Sequence, residues 1–344
     1  MSLVFGPLDG VSLAGGARAF PARAMTTSEA LASVPAGQRM SPAHLEHVQR
    51  ELHALVGVRA RHWSYLPGQR QIGEDTAALA ARALREALSR SGLEAEHIDA
   101  LFVATSTPHR FTSTVASHVG GLLGIQGACL DLRAGCSAGI YGLLQAAQYV
   151  QAGARAAALV GADTFSAVLP PEHRLSVCVM GDGASAALVV PGTGCLHALY
   201  YDSDGAHRAL VHTPGPMPPT SEALAQGAYR LAGDPEGFNA QILPRYTQSI
   251  QRVLAHVGMS AADVDLLLPH QTSAPMLTEL GASVGLPAQK VWTEGVAQHA
   301  NIGAAGWISA LVEAQRQGRV GPGSTVLCAS VGGGMSWGAA LWTL

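Results

Sequence analysis

Two stretches of this chain repeat elsewhere in it, and they do so in register. GLEAEHIDALF at 92–102 aligns with GMSAADVDLLL at 258–268, with Gly92, Ala95, Asp99 and Leu101 matching Gly258, Ala261, Asp265 and Leu267, and with Ile98 opposite Val264. A second pair follows at the same separation to within one residue: AGIYGLLQAAQ at 138–148 matches AGWISALVEAQ at 305–315. Ala-rich helices resemble one another by composition, so the second match alone is the weaker. Two matches in register describe one supersecondary unit used twice, a turn into a strand and then a glycine-opened helix. Such a chain is confined to architectures of two like halves whose equivalent ends meet near a pseudo-twofold axis. A site on that axis draws residues from both halves.

The elements around the repeats support this. Residues 75–90 (DTAALAARALREALSR) predict a helix, 99–105 (DALFVAT) a buried strand, 137–152 a helix, and 156–161 and 185–190 strands. The order then recurs, with a helix near 246–257, a strand at 265–269, a helix near 303–317 and a strand at 325–330. Strands alternating with helices argue for an α/β fold of layered sheets. The predicted halves are 1–191 and 192–344. With 344 residues, 48% of them hydrophobic and only 13% charged, the chain can bury a large core, and it has few charges to keep a wide surface wet, which points to a subunit interface. A formal net charge of -3 gives no basic field for nucleic acid. No run reaches the ~18 apolar residues of a membrane helix, and MSLVFGPLDG has no charged region before an apolar run, so no secretory signal is expected. The five cysteines are odd in number and form no CxxC pair; Cys178 and Cys328 lie in apolar runs and read as buried reduced thiols. The expected location is the cytoplasm.

Three residues stand out as chemistry. Cys136, in DLRAGCSAGIYGLLQ, occupies a Gly-flanked turn at the start of a helix, where the helix dipole lowers a thiol's pKa and favours the nucleophilic thiolate. It also fits a small thiol packing a turn. His270, in DLLLPHQTSAP, follows an apolar strand directly, and open α/β sheets place their sites at such ends. By the repeat its strand matches the one ending near Thr105, so it runs toward the same axis as the Cys136 turn. Asn301, in QHANIGAAGWISAL, precedes the helix that is the repeat partner of the Cys136 helix. Its amide can donate to a developing oxyanion or enolate, or cap the helix, or do both. His299, two residues away, reads as background. The Gly332–Gly333–Gly334 loop permits close backbone approach and can offer an amide to an oxyanion.

A Cys at a helix start, then PHQ, then an Asn-bearing loop before a Gly-rich helix, then GGGMSWGAA, resembles β-ketoacyl-ACP synthase III along nearly the whole chain; GVRARHW at 57–63 and GDGASAALV at 181–189 resemble further segments of that family. The resemblance implies a five-layer αβαβα thiolase fold and a homodimer. It implies that Cys136 accepts an acyl group from an acyl-CoA or acyl carrier protein (ACP) thioester, with no other cofactor and no metal. His270 and Asn301 would stabilise charge as a malonyl thioester loses carbon dioxide, and the amides of Cys136 and Gly334 would form the oxyanion hole. A Claisen condensation then gives the β-ketoacyl product.

Some positions depart from the family. Where synthases priming fatty-acid synthesis from CoA present a Trp and an Arg, this chain has Glu51 and Leu55, and a further CoA-contacting Arg corresponds to Ala167. The helix after PHQ lacks the basic residues that meet an acidic carrier, with Pro275 and Glu279 there instead. These features suit a specialised synthase rather than the housekeeping initiator. A chain-length-limiting Phe corresponds to Thr112, or to Phe111 if the loop alignment slips by one, and Thr112 implies a longer acyl channel. Acyl transfer to an oxygen or nitrogen nucleophile, or condensation without decarboxylation, would use the same Cys136 and His270. GCSAG at 135–139 also satisfies the G-x-S-x-G elbow of serine hydrolases, with Ser137 as nucleophile and Asp265 and His270 as partners. A non-catalytic partner subunit is the remaining alternative, and such relatives tend to lose the nucleophile.

Overall fold

The computed structural model describes residues 3–66 and 73–344. Nine strands form one continuous sheet system: β1 (Val4–Phe5), β2 (Leu8–Ala19), β3 (Ala100–Ala104), β4 (Ala128–Leu132), β5 (Ala157–Thr164), β6 (Asp182–Ser203), β7 (Leu266–Pro269), β8 (Thr325–Gly332) and β9 (Ser336–Thr343). Six long helices pack on it: α1 (Thr76–Ser91), α2 (Val115–Leu123), α3 (Ala138–Gln151), α4 (Pro235–Val257), α5 (Ala274–Ser283) and α6 (Gly306–Arg316). The predicted elements are all present. The helix expected near 246–257 begins at Pro235, and the one near 303–317 opens with a 3-10 turn at Gly303–Ala305.

The duplication is visible in the pairing. In the first half the order is β4-β3-β5-β6-β2, with β3 parallel to β4 and β5, and β6 antiparallel to β5 and β2. In the second, Val291 makes a parallel bridge to Leu267 of β7, β7 is parallel to β8, and β8-β9-β6 is antiparallel. Order and direction correspond strand for strand. The 22-residue β6 belongs to both sheets: residues 184–189 pair with β5 and β2, and residues 195–203 with β9.

Alternation along the strands creates the layers, because successive side chains leave opposite faces of a sheet. Ala100 and Phe102 face a central core with α3 and α6, whereas Leu101 and Val103 face α1 and α2. Leu266 and Leu268 enter the same central core, and Leu267 faces α4 and α5. The stack is therefore α1/α2, sheet, α3/α6, sheet, α4/α5, the five-layer αβαβα arrangement. Cys178 and Cys328 are buried, and all five cysteines are free thiols.

Candidate active site

Cys136 lies two residues ahead of α3, after Gly135, whose φ of 56° is open to glycine without strain. The Gly332–Gly333 end of β8 packs so tightly against this turn that a Cβ on Gly332 would overlap the Cys136 amide. Ser330, on β8, donates its hydroxyl to the Cys136 carbonyl at 2.9 Å. One residue earlier on the same strand, the Ala329 carbonyl accepts from the His270 amide at 2.7 Å. Cys136 and His270 thus hang from adjacent residues of β8, one from each half of the duplication.

His270 is buried at the end of β7. Tyr246, from α4 and fully buried, donates its hydroxyl to the His270 carbonyl at 3.1 Å. Gly306, the first residue of α6, lies against the imidazole: a Cβ there would sit 2.5 Å from His270 Nδ1. The start of α6, five residues after Asn301, is thereby brought to His270. Asn301 bridges to Met180; its amide donates to the Val179 carbonyl and its carbonyl accepts from Gly181, both at 2.9 Å. The short helix Arg174–Val179 that precedes this bridge is braced by buried Arg61, whose Nη2 donates to the Cys178 carbonyl at 2.5 Å. Asn301 Oδ1 accepts from the Gly303 amide at 2.9 Å. A backbone N–H must meet the oxygen end of the amide, so the orientation is fixed and Nδ2 is the end presented elsewhere. The oxygen end holds the turn two residues on, whereas the N-cap positions of the 3-10 turn and of α6 are Ile302 and Ala305, so Asn301 does not cap the helix itself.

Electrostatics correct one sequence expectation. The Cys136 thiol is not depressed by the helix; burial pushes it up to about 12, and the Asp163 carboxylate adds to the effect. Desolvation outweighs the dipole because protein closes around the sulfur of this half-buried residue. Burial also lowers His270 to about 4. These shifts favour a neutral thiol and a neutral imidazole at neutral pH.

The serine-hydrolase arrangement does not form. Ser137 is fully buried and caps α3; its hydroxyl lies 2.9 Å from the Ala134 carbonyl, 2.8 Å from Ser336 Oγ and 3.1 Å from Tyr201 Oη. Asp265 stands at the opposite end of β7 from His270 and accepts from the Thr325 amide at 2.8 Å. Phe111 and Thr112 lie exposed in the loop before α2, with Phe111 making an edge contact to Tyr229. His299 stacks on Phe20 with ring centroids 3.9 Å apart. Asp163, at the end of β5, was missed by the sequence reading although an acid closing an apolar strand (AALVGADT) was a signal for it.

The family model described as 3-Oxoacyl-[acyl-carrier-protein (ACP)] synthase III matches residues 130–205, and its C-terminal counterpart matches 254–344. The β-ketoacyl-[acyl-carrier-protein] synthase III of Bordetella petrii is 33% identical over 338 residues, 96% of each chain. The chain belongs to the β-ketoacyl-ACP synthase III family. The synthase III of Granulibacter bethesdensis is 34% identical over 78% of this chain and 84% of its own. The crystal structure of 3-oxoacyl-(acyl carrier protein) synthase III from Pseudomonas aeruginosa PAO1 superposes with a TM-score of 0.82 at 29% identity, covering 96% of this chain and 97% of the other. The protein is therefore a thiolase-fold acyltransferase of the synthase III type.

Proposed function

We propose that this synthase III takes an acyl group onto Cys136 as a thioester and condenses it, by decarboxylative Claisen reaction, with a malonyl-type thioester to give a β-ketoacyl product. What carries the reading is the junction of the two halves, where the Cys136 turn, the end of β7 and the Asn301 turn are all tied to β8 or α6. As the thiol attacks the donor carbonyl, neutral His270 accepts its proton, and the amides of Cys136 and Gly334 receive the oxyanion; when the oxyanion collapses, the carrier's thiolate leaves and takes that proton from His270. In the second half-reaction His270 and Asn301 Nδ2 hold the enolate oxygen while carbon dioxide departs, and the carbanion attacks the acyl-enzyme, breaking the Cys136 sulfur–acyl bond and releasing the thiolate to be reprotonated. Splitting the transfer at Cys136 divides one hard step into two, and the thioester carries the activation, so no further cofactor enters.

The surroundings favour a specialised donor or carrier. Glu51, Leu55, Ala167, Pro275 and Glu279 are all exposed, so the positions of the family's CoA- and carrier-contacting residues present neutral or acidic groups. Thr112 in place of a bulky aromatic side chain suits a longer acyl group. We assign the halves to 1–191 and 192–344, with the nucleophile in the first and His270 and Asn301 in the second, and place the enzyme in the cytoplasm as a homodimer. No helix among the described residues is long and apolar enough to cross a membrane.

The test is intact-protein mass spectrometry of the wild type and Cys136→Ala after exposure to acyl-CoA and acyl-ACP panels. Acyl mass on the wild type alone is the expected outcome, and the best donor then gives chain length and carrier. Acyl mass on both proteins, or on neither, overturns the assignment of the nucleophile.

A further inference from the structure

Asp163 is fully buried, is not part of the reaction described above, and collects more hydrogen bonds than any group at the site. Its Oδ1 accepts from the Ser106 amide at 2.7 Å, the Thr107 amide and hydroxyl at 3.0 Å each, and the Thr105 hydroxyl at 3.2 Å. Its Oδ2 accepts from the Ala304 amide at 2.9 Å, and a Cβ on Gly303 would overlap that oxygen. One carboxylate therefore ties the segment leaving β3, in the first half, to the turn that follows Asn301, in the second. The Gly303 amide, which fixes Asn301 Oδ1, belongs to that turn. Among the described residues no ion pair to Asp163 is formed, and its negative charge raises both Asp182, on β6, and Cys136. A buried carboxylate held only by neutral donors is costly unless its charge or its geometry is used.

Resting on the assignment of Cys136 as nucleophile and Asn301 as donor, we infer that Asp163 is a positioning residue for the condensation half-reaction, setting the Asn301 amide through the Gly303–Ala304 turn. Two consequences separate this from a space-filling role. Asn301 serves the enolate and not the first acyl transfer, so loosening its turn affects condensation more than acylation. Removing a negative charge that raises the Cys136 thiol makes thiolate easier to form.

The experiment compares wild type, Asp163→Asn and Thr107→Val, with Cys136→Ala as background. Alkylation of Cys136 by iodoacetamide is followed by intact mass across pH, beside acylation from acyl-CoAs and carbon dioxide release from a malonyl thioester. Asp163→Asn is expected to move the alkylation profile to lower pH and to reduce condensation by about 10- to 100-fold, the scale of a misplaced catalytic group, with acylation within a few-fold of wild type. Thr107→Val removes one hydroxyl donor, weakens the charged form of Asp163, and moves both readouts the same way by less. It carries the test alone if the Asn variant does not fold. An unmoved alkylation profile, or acylation and condensation lost in equal measure, overturns the proposal. Absence of acyl mass on the wild type would instead overturn the parent assignment, and the alkylation arm would still report on Asp163.

Discussion

At the residue scale, burial sets the chemistry of the junction more than proximity to a helix does. The Cys136 thiol and His270 imidazole both start neutral because each would lose hydration as an ion. The folded pKa of His270 lies near 4, below the ordinary 6.5. Between those values the unfolded chain binds a proton at this position that the native state does not, so stability is present above pH 6.5 and falls as the pH drops toward 4. The share of this one group is roughly 3 kcal/mol. His299, lowered to about 3, acts in the same direction. Asp163 and Asp182 are raised by burial to about 6 and about 7; they oppose it, since their native forms hold protons and lose stability as pH rises through 3.8 toward those values. Urea denaturation of wild type and His270→Asn at pH 7 and pH 4.5 isolates the histidine. The variant should lose less stability on acidification by about 2–3 kcal/mol, and equal losses would contradict the burial of a neutral His270.

At the element scale, β6 is the piece that makes two sheets one body. Its sequence interrupts itself with Pro191, Gly192 and Gly194, which read locally as the end of a strand. Here the glycines mark close backbone approach instead. A Cβ on Gly194 would overlap the carbonyls of Val11 and Thr343, so β2 and β9 both converge on this point. Gly194→Ala should cost about 1–3 kcal/mol by overpacking and lower Tm by a few degrees. Gly121, in α2, has open space around its Cα, so Gly121→Ala should be neutral or stabilise by up to ~1 kcal/mol. Thermal melts of the pair would refute the shared-strand account if Gly194→Ala were as benign as Gly121→Ala.

At the scale of the whole molecule, the sheet ends in β4, an edge on which Asp131 is engaged by the Val115 and Ala116 amides and apolar side chains stand exposed. Leu130 on β4 and Leu122 on the adjacent α2 are 43% and 52% exposed. Edge strands of soluble proteins are normally blunted or covered, and a second copy is the cover expected for a homodimer. Analytical ultracentrifugation should find a dimer at micromolar concentration, and Leu130→Lys should shift it toward monomer. A monomeric wild type would remove the dimer from the account.

The sequence by itself determined the duplication and the order of strands and helices, and it singled out Cys136, His270 and Asn301 as candidates. Those signals are local or periodic: an apolar run alternates or it does not, and a reactive side chain after a strand stands out against its neighbours. Tertiary structure decided the rest. Whether Cys136 is a thiolate depends on desolvation by distant segments and on Asp163, which the chain brings from β5. Whether Ser137 is a nucleophile depends on Ser336 and Tyr201, whose hydroxyls reach it from the other half and hydrogen-bond with it. The continuity of β6 through its glycines depends on what passes on either side. Each is a pairing between residues far apart in the chain, and such pairings leave no periodic trace in the sequence.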